Sequence, residues 1–239
     1  MKSHYIATTL ALIAGLAGSA HAAREFASFG LAGASTAEGW YNLNNGAYAG
    51  YGGYATATAA WPSAIASNFG SGDAGFNKIA GTSGYLASAA TNGIYTPGAP
   101  LGGFTVSDAT PLAGLETIVF QLDIEIASGV FDAPLLSYNG GSQNLAATFG
   151  STVFSEVKSG GMGASVRYVY AYQWDLSSAG VITDFSISWT VPAAHTITYG
   201  AQLQQSDTFA GSAIPEPSSF AALAGFSVLG LAAGRRRRA

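Results

Sequence analysis

Cysteine is absent from this 239-residue chain. No disulfide can staple it, and no thiolate can act as nucleophile or soft metal ligand. Charge is scarce too: only 9% of residues are charged, and histidine occurs three times, at His4, His21 and His195. These shortages exclude several chemistries. A Ser–His–Asp device or a multi-histidine zinc centre needs histidine in a supporting constellation. Away from the ends there is only His195, beside Pro192 in what reads as a solvated turn. Glycine occurs 32 times, yet no glycine-rich loop sits between a strand and a helix as phosphate binding requires. EF-hand loops are missing as well. The sequence assigns no catalytic residue and no metal ligand set.

What is present lies first at the ends. Lys2 and His4 precede an apolar run from Tyr5 to Ala17, and Ala20-His21-Ala22 follows with small residues. This predicts a signal-peptide helix over 1–22, with Ala20 and Ala22 at the cleavage positions. At the other end come Pro215-Glu216-Pro217, an uncharged run from Phe220 to Ala233, and Arg235, Arg236, Arg237 and Arg238. At ~1.5 Å per residue that run spans roughly 21 Å, against a hydrocarbon core of ~30 Å. It predicts a short transmembrane helix stopped by the arginines on the cytoplasmic side. Glu216 lies near the positive end of its dipole.

The order of Pro-Glu-Pro, short apolar helix and arginine cluster resembles the PEP-CTERM sorting signal of exported bacterial proteins. The resemblance covers about 25 residues. It implies that Pro215, Glu216 and Pro217 are recognised by an exosortase, a membrane-embedded cysteine transpeptidase. It also implies that the helix is a transient handle in the inner membrane, and that the product reaches the cell envelope or extracellular surface.

Between the ends, residues 23–205 are expected to form one exported domain, 206–213 a small-residue linker and 214–239 the sorting segment. The part from Ala23 to Ala213 carries four basic and twelve acidic residues, a net charge of −8. So few cations cannot neutralise phosphates, which argues against nucleic acid and for neutral polymers or cations as partners.

The pattern of this region is all-β. Glu116 to Ala127 alternates strictly, with Ile118, Phe120, Leu122, Ile124 and Ile126 on one face and Thr117, Gln121, Asp123 and Glu125 on the other. That predicts a strand with one buried face. Leu135 to Tyr138 and Leu145 to Phe149 flank a hairpin signal at Asn139-Gly140. Thr152 to Val157 is a short strand. Ala164 to Asp175, with Tyr168, Tyr170, Tyr172 and Trp174 on one face, is a long one, and Val181 to Val191 and Ile197 to Leu203 follow. The Gly-, Ala- and Tyr-rich first half yields only short candidates, at Thr56 to Trp61, Ala80 to Ala87 and Gly93 to Thr96. Regular strands without intervening helices predict an antiparallel, jelly-roll-like (lectin-like) β-sandwich.

Two groups of residues are candidates for glycan contact. Trp40 and Tyr41, with Tyr48, Tyr51 and Tyr54, offer rings on which sugars can stack. Gln121, Asp123 and Glu125 stand about 7 Å apart along one strand face. Their spacing resembles the Glu-x-Asp-x-Glu strand of laminarinase-type glycoside hydrolases, which need two carboxylates. Here the first position is Gln121, an amide, so the resemblance implies a cleft that binds a glycan without cutting it. A jelly-roll glycoside hydrolase or lyase is the alternative, and a self-associating coat protein with Gly/Ala/Tyr-rich edges is another. No cofactor is implied beyond a single Ca²⁺ held through Asp73 or Asp108 with backbone carbonyls.

Overall fold

The computed structural model describes residues 26–160 and 163–214. Ala20, Ala22, Pro215, Glu216, Pro217, Arg235, Arg236, Arg237 and Arg238, and both expected terminal helices, lie outside the described residues. Among the described residues no helix is long and apolar enough to cross a membrane.

The described chain builds strands β1 (Ser35–Trp40), β2 (Ile65–Ala66), β3 (Phe69–Gly70), β4 (Gly75–Lys78), β5 (Tyr85–Leu86), β6 (Ile94–Thr96) and β7 (Gly103–Asp108) in its first half. The second half adds β8 (Thr117–Ile126), β9 (Leu135–Tyr138), β10 (Leu145–Ala146), β11 (Phe149–Gly160), β12 (Gly163–Asp175), β13 (Phe185–Thr190) and β14 (Thr196–Ser206). One sheet runs β11-β12-β8-β14-β1-β3, with β6 against the start of β14 and β5 against β6. The other runs β10-β9-β13-β7-β4-β2. Neighbouring strands are antiparallel throughout. The architecture is therefore an all-β, two-sheet antiparallel sandwich.

Side-chain alternation puts Ile118, Phe120, Leu122 and Ile124 of β8 between the sheets, all at 0% exposure. They meet Phe76, Phe104 and Trp189 from the opposite sheet, with Phe76 and Phe104 stacked at 5.8 Å. Each such burial stabilises by about 1.5–3 kcal/mol. Two indoles tie the sheets together by hydrogen bonds: Trp40 Nε1 donates to Ile65 O at 2.9 Å, and Trp174 Nε1 donates to Leu145 O at 3.0 Å. The hairpin at Asn139-Gly140 forms with both residues at positive φ, 52° and 62°, the pairing a type I′ turn requires.

Several local expectations change. Thr56 to Trp61 is no strand; a single 3₁₀ turn occupies Tyr54–Thr56. Of Ala80 to Ala87 only Tyr85–Leu86 forms a strand, with Ala87 in an isolated parallel bridge to Asn44. Strand β13 begins at Phe185, and Val181 is 82% exposed before it. In β14 a bulge at Tyr199 shifts the register between Thr198 and Gly200. The expected common face of Ile197, Tyr199, Ala201 and Leu203 is therefore broken. Strand β8 is buried on both faces rather than one: of its residues only Glu125 is partly exposed.

Candidate functional site

The second burial of β8 comes from the two ends of the domain. Residues 26–31 and 207–214 lie across the outer face of β12, β8 and β14, where Phe29 and Ile214 pack together on Val119 and Ala171. Glutamine amides hold them. Gln121 accepts from Ala27 N at 3.1 Å and donates to Ala27 O at 2.7 Å and to Gln202 Oε1 at 2.7 Å. Gln173 donates to Ala210 O at 2.6 Å and accepts from Ala213 N at 2.8 Å. An amide matched to a peptide group in this way satisfies both partners, which burial demands. Residues 206–213, expected as a linker, thus lie against the sheet.

Asp123 and Arg167 occupy the next level of this face. The guanidinium reaches the carboxylate with two hydrogen bonds, Nε to Oδ1 at 2.7 Å and Nη2 to Oδ2 at 2.5 Å. Both residues are inaccessible, at 0% and 3% exposure. Arg167 also lies over the Tyr199 ring, 4.0 Å from its centroid. Tyr199 OH donates to Glu125 Oε2 at 2.6 Å, and Ser165 Oγ donates to Glu125 Oε1 at 2.5 Å. Burial, then the bond to Glu125, push the Tyr199 phenol well above its ordinary value. The expected open row of Gln121, Asp123 and Glu125 is therefore a closed network. Gln121 and Asp123 have no surface to offer a glycan, and only Glu125 reaches partial exposure. Trp40 leaves the candidate set as well, because its ring is 0% exposed in the core. Tyr41 is half-buried between Phe26 and Phe69.

Beyond Glu125 the outer face opens. Ile197 of β14 pairs with Glu125 on one side and Tyr95 on the other. Tyr95 pairs in turn with Tyr85. Leu86 and Ile94 point into the core, so Tyr85 and Tyr95 point out. Their rings meet edge-on at 5.8 Å and 84°, and Tyr54 meets Tyr85 edge-on at 6.2 Å and 82°. His195 closes the row 5.9 Å from Tyr95, and its Nδ1 hydrogen-bonds Tyr95 OH. The histidine sits at φ 61°, held by its own N–H on Thr96 O at 2.8 Å. Tyr54 is 71% exposed. Partial burial, then neighbouring phenols, raise the Tyr85 and Tyr95 phenols, so both stay protonated donors at neutral pH. The result is a surface platform of four aromatic rings from four separate stretches of chain.

Of the expected aromatics, only Tyr54 stands in this platform. Tyr48 and Tyr51 pack edge-on toward Trp61. Sequence reading missed Tyr85, Tyr95 and His195 as members of an exposed aromatic row. The signals for the two tyrosines were the short Ala80 to Ala87 and Gly93 to Thr96 strands, which carry no information about their partners.

The last site-like feature is an acidic corner at the opposite end of the sandwich. Glu38 of β1 is 1% exposed. Its Oε2 accepts from Ala74 N at 3.0 Å, while Oε1 is buried without a hydrogen-bond partner. Asp108, at 3% exposure, accepts from Gln205 Nε2 at 2.7 Å and Thr110 N at 2.8 Å. Thr110 Oγ1 donates to Asp73 at 2.6 Å, which brings both expected calcium ligands to this corner. Burial, then Asp108, push the Glu38 carboxyl up to about 7.

No protein family matches the chain, and neither a curated protein nor a solved structure shows detectable similarity to it.

Proposed function

We propose that this chain is an exported bacterial surface or matrix protein whose β-sandwich, read as jelly-roll-like and lectin-like, contacts a neutral exopolysaccharide through Tyr54, Tyr85, Tyr95 and His195. In this reading the Pro215-Glu216-Pro217 segment is recognised by an exosortase. The arginine tail holds the chain transiently in the inner membrane before release to the envelope or extracellular surface. The sequence order of the two terminal segments supports the route. The contact rests on one observation: the Tyr54 ring is 71% exposed yet tilted into place by Tyr85. A fixed, open aromatic ring with phenol and imidazole groups beside it can stack a sugar ring and bond its hydroxyls. The domain's net −8 charge disfavours anionic polymers.

A glycan array with the full purified chain tests this. Binding to neutral glycans is expected, and Tyr54→Ala should abolish it. No binding to any glycan, with or without calcium, would sink the reading, as would full binding by the Ala variant. Asp123 offers the hydrolase or lyase alternative no open carboxylate, because Arg167 occupies it.

Self-association has one observation in its favour. Among the described residues the 12-residue edge strand β11 pairs with β12, and its Val157 is 75% exposed. An apolar side chain exposed on an edge strand favours pairing with another chain. Light scattering over a concentration series separates the two readings.

A further inference from the structure

The sandwich treats its edges unequally. Strands β2, β3, β5 and β10 each end a run of paired strands, and each is two residues long. Edges that short offer another chain almost nothing to pair with, which is one way sheet proteins avoid joining edge to edge. Strand β11 ends its sheet with 12 residues. A bulge at Val153 divides it: the register against β12 shifts between Thr152 and Phe154, then runs unbroken from Phe154 to Gly160. Val157 is the midpoint of that regular stretch, and it is 75% exposed.

The stretch is self-complementary about this midpoint. Its centre reads Ser155-Glu156-Val157-Lys158-Ser159. A second copy laid antiparallel along it, on a two-fold axis at Val157, sets valine opposite valine, Glu156 opposite Lys158 and Ser155 opposite Ser159. Residues opposite each other in an antiparallel pair share a face and interact. Glu156 and Lys158 form an ion pair at 3.0 Å within the strand. The copy gives each of these charges an opposite charge across the seam as well. The two valines meet on the other face, where Ser155 and Ser159 are also exposed. A lone lysine on an edge strand keeps other strands away. Here the glutamate beyond Val157 turns that lysine into a register mark. A slip of two residues, the smallest that keeps like faces together, sets Lys158 against Lys158 or Glu156 against Glu156.

We propose that β11 is a homodimer interface: two copies join their sheets antiparallel along Phe154 to Gly160, on a two-fold axis at Val157. The inference rests on the self-association reading above and commits it to a closed pair. A two-fold contact uses the same patch on both copies, so it closes on the dimer and leaves only the two-residue edges exposed to a third chain. The contact is small, so association is weak and concentration-dependent.

Light scattering on the full chain in detergent, over a concentration series, should find a monomer–dimer equilibrium and no larger species. Glu156→Lys and Lys158→Glu, each alone, set like charges across the axis and should weaken the dimer about tenfold or more. Mixed, the two variants are complementary and should pair as wild type does. Both exchanges in one chain should restore the homodimer. Val157→Asp, a change at an exposed position, should also leave monomers and serves should a charge variant not fold. A wild-type chain that is monomeric at every concentration overturns this inference and the self-association reading together. Wild-type association that all the single variants share overturns the interface alone, because contacts through the apolar terminal runs are indifferent to β11. Growth beyond the pair overturns the two-fold closure. Glycan binding through Tyr54 is read by a separate assay.

Discussion

Asp123 and Glu38 are carboxylates on the same sheet, 0% and 1% exposed, and they live in opposite electrostatic settings. Asp123 faces outward beneath the terminal segments and receives a two-point guanidinium clamp from Arg167. Glu38 faces inward, receives one backbone N–H, and has Asp108 for a neighbour. Desolvation is large for both, so the geometry of the partner decides the outcome. A matched cation lets a carboxylate stay charged inside a protein. Burial, with Asp108 beside it, instead pushes Glu38 up to about 7.

The contrast can be broken most sharply at Arg167. Arg167→Met strands Asp123 without its cation and should cost about 3–5 kcal/mol in urea unfolding. Adding Asp123→Leu should recover most of that loss. If Arg167→Met alone unfolds like wild type, the clamp is not what stabilises Asp123 in the interior. Tyr199→Phe keeps the ring under Arg167 and removes the hydroxyl from Glu125; a loss of about 1–2 kcal/mol by the same assay is expected. Glu38→Gln should act in the opposite direction. Wild-type Glu38 binds its proton more tightly folded than unfolded. Its contribution is therefore complete below the ordinary carboxylate range and fades as pH rises from there through about 7. The amide should gain about 1 kcal/mol near pH 8, after allowance for solvent screening, and nothing near pH 5. Equal gains at both would show that proton binding at Glu38 is not the difference. Tyr54→Ala should be the mildest change, within about 0.5 kcal/mol of wild type in stability, since its ring covers little.

Much of the sheet framework was visible in the residues. The alternation in β8 and β12 was strong enough to name the inward side chains, and Asn139-Gly140 marked its hairpin. The closed outer face of β8 was not visible, because what covers it arrives from Ala27, Phe29 and Ala213, as far as 94 positions away for the Ala27–Gln121 bond. Alternation reports which residues share a face and is silent on what lies against it. Tyr199 was misplaced for a related reason: a bulge adds one residue to β14 without altering its composition. The aromatic platform was illegible because Tyr54, Tyr85, Tyr95 and His195 come together only through the pairing of β5, β6 and β14. The acidic corner was half legible. Asp73 and Asp108 were named as candidate calcium ligands, whereas Glu38 carried no expectation.

The seam between Phe29 and Ile214 also sets a timetable. Synthesis runs from the N-terminus, so Phe29 is available long before its partner exists. Phe29 N–H must find Gln204 Oε1, 175 positions later, at 3.4 Å. Closing contacts of that span is the slow step of an antiparallel fold. Until the last residues arrive, Val119 and Ala171 present an uncovered apolar strip that chaperones and neighbouring chains can reach. Maturation of the domain is thus gated by its final few residues.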